Sequence, residues 1–286
     1  MTDRLISAVP VPFTPDGALD LPALTSVLAA LAPHVDGALM AGTTGEFPAL
    51  SDDERLEVFR TAVDVLGGSR VVAHLGHASA RQVLDLAGRT RELGIDRLAL
   101  LTPYYLPTDQ HGVVEFFAAL SHEHADAALY AYLFPERTGL EVETATLSEV
   151  MALPGYAGVK LSGGAAGLRA QYAAAVGPGQ ALWSGDDATF PQVVADGGTG
   201  VVSGVSSAFP ELFGRLSRAI DAADPDEVDR LQTDVIEVVR LVGPTVSRLK
   251  AALAVRTGAP WHARMPLPAV DGDLRAQIGD VVDRHA

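Results

Sequence analysis

The sequence predicts an α/β chain, a (β/α)8 TIM barrel with a carboxy-terminal helical extension, and three observations carry that expectation. Short apolar runs alternate with amphipathic helical segments, the runs number eight, and the chemically unusual residues gather just past their ends. Strands buried on both faces read as nearly continuous apolar runs, and eight of them joined by right-handed helical crossovers close into a barrel. A doubly wound sheet is the competing architecture. Its first strand–helix turn should carry a Gly-rich phosphate fingerprint, and none is present.

The strand candidates, in order, are Leu5–Phe13, Asp36–Ala41, Arg70–Leu75, Arg97–Thr102, Ala127–Phe134, Tyr156–Leu161, Ala181–Ser184 and Gly200–Ser203. Helical patterns lie between them. Asp52–Leu66 repeats Leu56, Phe59, Val63 and Leu66 at helical spacing, with Ser51 or Asp52 as a cap ahead of Glu54. Ala80–Leu93 turns Val83, Leu84, Ala87 and Leu93 inward and stops at Gly94. Gln110–His124, Thr144–Ala152, Ala165–Val176, Ala188–Ala195 and Pro210–Ala223 continue the alternation. Beyond it, Asp224–Val242, Pro244–Thr257 and Gly272–His285 read as three further helices. Residues 1–223 are thus expected to form the barrel, and 224–286 a helical extension of the same domain.

Composition narrows the functional classes. The 286 residues are 48% hydrophobic and have a mean hydropathy of +0.20, ample for a large core. A net charge of −15 without basic clusters argues against a nucleic-acid surface. The absence of cysteine removes disulfides, thiolate metal sites and cysteine nucleophiles. No apolar stretch reaches the ~20 residues a membrane helix needs, and cytoplasmic residence is expected.

Of the 21 Lys and Arg residues only two are lysines, Lys160 and Lys250. Lys160 ends the strand-like run Tyr156-Ala-Gly-Val-Lys160 and precedes Leu161-Ser-Gly-Gly164. Guanidinium stays charged, whereas an amine can lose its proton and attack a carbonyl, so a strand-end lysine in an arginine-preferring chain is a candidate Schiff-base nucleophile. The plainer account is a side chain snorkelling to solvent. Lys250, within Ser247-Arg-Leu-Lys-Ala-Ala252, reads as structural.

Other strand ends add chemistry. Gly42-Thr-Thr-Gly-Glu46 can offer hydroxyls and backbone N–H groups to a carboxylate or phosphate, or be an ordinary turn. Thr102-Pro-Tyr-Tyr-Leu-Pro107 holds an aromatic pair between prolines, suited to proton relay or simply to packing. Strand alternation puts Tyr130, Tyr132 and Phe134 on one face and Leu133 on the other, so Tyr132 becomes a neighbour of Lys160. Arg137 on the exit loop suits a carboxylate. Trp183-Ser-Gly-Asp-Asp187 and Gly200-Val-Val-Ser-Gly204 are glycine-bearing ends that a small ligand can approach. Metal chemistry is not expected. His122 and His124 point to different helix faces, and His74 and His77 lack an evident carboxylate partner. No Gly-x-Ser-x-Gly elbow marks a serine nucleophile.

Taken together, Ala8-Val-Pro-Val-Pro-Phe-Thr-Pro15, the Gly42–Glu46 turn, Thr102-Pro-Tyr-Tyr105, Tyr132-Leu-Phe-Pro-Glu-Arg-Thr-Gly139, Gly158-Val-Lys160, Ser184-Gly-Asp-Asp187, Gly200–Gly204 and Arg264-Met-Pro-Leu267 resemble, in order and spacing, the dihydrodipicolinate synthase/N-acetylneuraminate lyase family. The resemblance spans nearly the whole chain. It implies a class I, Schiff-base-forming aldolase or lyase acting on pyruvate or a related 2-keto acid and an aldehyde or sugar-acid partner. No cofactor is implied, and assembly as a homotetramer or homodimer is. By position, Lys160 matches the Schiff-base lysine, and Tyr132 the tyrosine that relays protons beside the keto-acid carboxylate. Thr43 and Thr44 match the carboxylate-binding turn, with Thr44 also in the relay. Tyr105 matches a tyrosine that enters a neighbouring subunit's site, Val202 a position whose backbone carbonyl faces the site, and Arg137 the arginine that receives a second substrate's carboxylate.

Four departures fall near the second substrate's expected place: Leu133 where the synthases have Asn, Leu161 where an acidic residue is common, Glu136 where a small one is usual, and Gly243-Pro-Thr-Val in place of Asn-Pro-x-Pro. Arg137 favours the alternative of dihydrodipicolinate synthase itself, condensing pyruvate with aspartate semialdehyde. Leu133 and Gly42-Thr-Thr-Gly-Glu-Phe47 favour a catabolic aldolase or dehydratase. A non-catalytic keto-acid-binding barrel and a metal-dependent aldolase are the remaining readings.

Overall fold

The computed structural model describes residues 3–243 and 245–285. Among them, eight parallel strands close into a barrel in sequence order, β1 pairing with both β2 and β8. The order of elements is β1 (Leu5–Ala8), α1 (Leu21–Leu31), β2 (Gly37–Met40), α2 (Asp52–Leu66), β3 (Val71–His74), α3 (Ala80–Arg91), β4 (Arg97–Leu101), α4 (Gln110–His124) and β5 (Ala128–Leu133). A single helical turn α5 (Pro135–Thr138) precedes α6 (Thr144–Ala152), β6 (Tyr156–Leu161), and the short α7 (Gly164–Gly167) and α8 (Arg169–Tyr172). Then come β7 (Ala181–Ser184), α9 (Phe190–Ala195), β8 (Gly200–Ser203), α10 (Pro210–Asp221), α11 (Pro225–Val242), α12 (Val246–Thr257) and α13 (Gly272–His285).

The expected barrel is present, and its local departures have local causes. The first strand stops at Ala8 because Pro10 and Pro12 cannot donate to a ladder; Phe13 instead forms isolated bridges to Leu19 and His262. Helix α1 is absent from the sequence reading, although Asp20 caps it through the Ala23 N–H and Pro22 sits in its first turn. The expected helix over Ala165–Val176 breaks into α7, α8 and a 3-10 turn, in a stretch with glycines at 163, 164 and 167. Pro244, read as the start of a helix, lies outside the described residues; the helix observed there begins at Val246. Of the two candidate caps on α2, Ser51 serves. Its hydroxyl accepts from Glu54 N–H while the Glu54 carboxylate accepts from Ser51 N–H.

Two hydrophobic layers hold the barrel. The outward strand faces and the helices share one cluster, which extends into α11–α13 through Leu231, Val235, Leu249 and Ile278. Each such Leu, Val or Ile contributes about 1.5–3 kcal/mol on burial. The interior is a smaller cluster of Ile6, Leu39, Val72, Ala99, Tyr130, Trp183 and Val202. Trp183 crosses the interior to donate its indole N–H to the Asp3 carbonyl, closing the floor, and packs edge-on to Tyr130 at 5.2 Å. Gly158 leaves space there, since a Cβ would stand 2.5 Å from the Ala181 carbonyl. Chemistry is thereby confined to the other end of the barrel. Among the described residues no helix is long and apolar enough to cross a membrane.

Candidate active site at the carboxyl end of the barrel

Strand register builds the mouth. Leu101, Tyr132, Lys160 and Trp183 are successive partners across β4–β7. On β5 and β6 the period of two carries Tyr132 and Lys160 inward, above Tyr130 and Gly158. Tyr132, 1% exposed, forms a third cluster with Phe47 and Leu101, lined by Tyr104 and Phe134. The Lys160 ammonium lies over the Tyr132 ring, 4.2 Å from its centroid, with the residue 9% exposed. Among the described residues its Nζ has no ion-pair or hydrogen-bond partner. The amine is thus buried on an aromatic face.

Thr43 is brought to this pair. Its hydroxyl and the Tyr132 phenol are 3.4 Å apart, a long hydrogen bond of the kind that tightens once a substrate is bound. Thr44 is turned elsewhere, against the end of β8, where a Cβ on Gly204 would stand 3.4 Å from its hydroxyl oxygen. The phenol thus has the Thr43 hydroxyl beside it, while Thr44, to which the resemblance assigns the relay, lies against Gly204, because adjacent turn residues point in different directions.

Arg137 reaches the rim. Its guanidinium lies 5.4 Å from the Phe134 ring centroid, and Phe134 is 6.2 Å from Tyr132, so aromatic rings connect Arg137 to Lys160. Glu136 does not face Arg137. Its carboxylate accepts from Gly164 N–H at 2.6 Å and covers Gly163, whose φ of +59° favours glycine. Leu133 and Leu161 face the outer helical layer and are fully buried there, so neither departure alters the mouth directly. Val202 projects its side chain into the barrel interior beside Ile6 and Trp183.

Tyr105 is not brought to the site. It is 89% exposed with Leu106 beside it at 74%, and its φ of +79° is unusual for an aromatic residue. Tyr104, its neighbour, turns inward and packs edge-on to Phe47 at 5.9 Å; burial raises its phenol above the ordinary range.

Sequence reasoning passed over two buried groups. His74 was weighed only as a metal ligand. It projects into the mouth with no exposure, 4.7 Å from the Phe47 ring and 5.9 Å from that of Tyr132, and Nδ1 bonds the Ala41 carbonyl. A carbonyl only accepts, so Nδ1 carries the proton. Burial, and then the charges of Arg55 and Lys160, push the imidazole pKa well below its usual value and keep it neutral. The strand period could have flagged it, because His74 stands two residues above the inward Val72. Its companion His77 does meet a carboxylate, Asp52 from α2 at 2.8 Å, a partner invisible to local sequence. Asp187 is the second group. Burial raises its pKa to about 7, partly countered by the Ser203 hydroxyl that donates at 2.9 Å.

A closed parallel barrel with a buried lysine stacked on a tyrosine in its carboxyl-end mouth has the architecture of a barrel enzyme. The model of the dihydrodipicolinate synthetase family matches residues 1–285. A 4-hydroxy-tetrahydrodipicolinate synthase of Cutibacterium acnes is 33% identical over 290 residues, covering 98% of this chain and 97% of the relative. One from Cyanothece sp. is 29% identical over 279 residues, covering 96% and 95%. The solved structure of DHDPS from Cyanidioschyzon merolae with lysine bound superposes with a TM-score of 0.90 at 27% identity, covering 99% of this chain and 97% of that one. The chain belongs to the dihydrodipicolinate synthetase family and is an enzyme of that family, a lyase.

Proposed function

We propose that the enzyme is a class I aldolase or lyase in which the Lys160 amine forms an imine with pyruvate or a related 2-keto acid. The observation that carries this is the Lys160 amine over Tyr132, without a polar partner among the described residues, with the Thr43 hydroxyl at the phenol. The amine attacks the keto carbon, forming the C–N bond, and the carbonyl oxygen leaves as water after two protonations, for which the Tyr132 phenol is placed. The Thr43–Thr44 turn receives the keto-acid carboxylate. The protonated imine then withdraws electrons from the adjacent carbon, which loses a proton to give an enamine that adds to an aldehyde; hydrolysis returns Lys160. Cleavage is the same sequence reversed. Because the imine is the electron sink, the reaction as read needs no metal or organic cofactor.

The test is borohydride reduction in the presence of pyruvate followed by intact mass. We expect one reduced adduct on the wild type and none on Lys160→Ala. No adduct on the wild type, or an equal one on the variant, overturns the proposal.

A second reading, condensation of pyruvate with aspartate semialdehyde, is favoured by Arg137 at the rim and by the names of the relatives. It requires turnover of that aldehyde, lost selectively in Arg137→Ala. A keto-acid-binding barrel without turnover is the outcome if pyruvate binds but no aldehyde or sugar acid reacts. Cytoplasmic residence and assembly as a homotetramer or homodimer belong to the same proposal. The exposed, backbone-strained Tyr105 with Leu106 supports assembly, since a second copy gives both side chains a place to be buried.

A further inference from the structure

The hydroxyl turn is held in an unfavourable backbone shape at both ends. Ala41, just before it, has φ +49°, and Glu46, its last residue, has φ +58°. Neither is glycine, and non-glycine residues in this region persist where surrounding contacts over-determine them. Within the turn Glu46 N–H bonds the Thr43 carbonyl at 3.1 Å, and Gly45 folds onto Ala41 so closely that a Cβ would stand 3.1 Å from Ala41 Cα.

Each end is gripped by a side chain from a distant element. On the Ala41 side the brace is His74 of β3, whose Nδ1–H donates to the Ala41 carbonyl at 3.1 Å. The ring lies over Gly76, where a Cβ would stand 2.4 Å from Cε1, so the glycine is what admits it. On the Glu46 side the brace is Lys250 of α12, 2% exposed, which donates to the Glu46 carboxylate and to the Val11 and His262 carbonyls at 2.9 and 2.7 Å. The other Glu46 carboxylate oxygen accepts from the backbone N–H groups of Arg264 and Met265, at 3.0 and 2.7 Å.

We infer that His74 and Lys250 are positioning residues that hold the Ala41–Glu46 turn so that the Thr43 hydroxyl meets Tyr132 and the Thr43–Thr44 backbone faces the keto-acid carboxylate. The inference deepens the proposed function and rests on it for the substrate's place. It gives both lysines of the chain to one site, Lys160 as the reacting amine and Lys250 as the remote end of a brace. Lys250 donates all three of its protons, so it is equipped to hold and not to react.

Three variants test it. His74→Leu removes the Nδ1–H, and His74→Asn, of nearly the same shape, offers an amide N–H in its place. Glu46→Gln with Lys250→Met removes the tie to α12 without leaving an unpaired buried charge, while the glutamine oxygen can still accept from Arg264 and Met265. Two readouts apply: amide hydrogen exchange of the 42–47 segment, and the pyruvate concentration giving half-maximal borohydride trapping. In His74→Leu and the double variant both should rise on the order of tenfold or more, with the rise in exchange largest within the segment, and His74→Asn should return toward wild type. Exchange at 42–47 unchanged in both His74→Leu and the double variant overturns the inference, as does His74→Asn behaving like His74→Leu. Should the double variant not fold, the His74 pair decides. A wild type that traps no pyruvate sinks the proposed function, while the exchange measurement still decides whether the turn is braced.

Discussion

The surroundings of Lys160 and Lys250 differ in what they let an amine do. Both side chains are almost entirely buried, and both lie over an aromatic ring, Tyr132 at 4.2 Å and Phe13 at 4.6 Å. Lys250 spends its three protons on one carboxylate and two backbone carbonyls. Burial lowers its pKa, and the Glu46 carboxylate works against that. Lys160 has a ring face against its amine and, among the described residues, no acceptor to lock its protons. An amine whose protons are all committed cannot become a nucleophile without breaking its neighbourhood, and one left uncommitted can.

Paired substitutions break that comparison most directly. Lys160→Met is expected to abolish the pyruvate adduct while changing unfolding free energy by no more than about 1 kcal/mol, because no partner is stranded. Lys250→Met should cost about 3–5 kcal/mol in urea unfolding, since Glu46 would remain as an uncompensated buried charge. Equal stability losses for the two would erase the distinction.

Tyr132→Phe keeps the ring beneath the Lys160 ammonium and removes the phenol that meets Thr43. A fall in kcat of roughly 10²–10⁴, with the stability retained, is expected for a lost proton donor. A wild-type rate in this variant would take the proton relay away from Tyr132.

Asp187 extends the comparison to a buried group with one oxygen unpartnered among the described residues. Its pKa rises from 3.8 unfolded to about 7 folded. Below the unfolded value both states are protonated and the stability is fully present. As pH rises from about 4 to 7 the unfolded chain ionises while the native carboxyl does not, so stability falls, by up to about 4 kcal/mol, and then levels off. Asp187→Asn should lose this component of the pH dependence. Parallel pH profiles for the variant and the wild type in urea unfolding would contradict the assignment.

The smallest expected effect lies at Ser51, in the exposed capping box of α2. Ser51→Ala should cost about 1 kcal/mol of stability and leave trapping by pyruvate intact. A change in trapping would mean that the turn before Ser51 is held by its helix and not by its two braces.

Much of this architecture is legible in the chain. Four helices, Asp52–Leu66, Gln110–His124, Thr144–Ala152 and Gly272–His285, and three strands, Tyr156–Leu161, Ala181–Ser184 and Gly200–Ser203, have the bounds their periodicity predicts. Segments that depend on backbone exceptions were harder to read, such as the run of glycines that fragments 163–167 and the prolines that shorten β1. In the site, alternation along β5 placed Tyr132 beside Lys160 because a strand's period of two is a local property. The same rule, applied to β3, would have put His74 in the mouth. Which of Thr43 and Thr44 meets Tyr132 was beyond it, because turn residues have no such period.

The sequence by itself determined the barrel, the inward tyrosine and the strand-end lysine, since apolar periodicity and strand alternation are written in neighbouring residues. Only the tertiary structure decided that Thr43 and not Thr44 reaches the phenol. It alone turned Glu136 to Gly164 and joined Lys250 to Glu46 across the fold. These contacts link residues far apart in the chain or side chains on irregular turns. Their geometry is set by how layers pack and not by any local repeat.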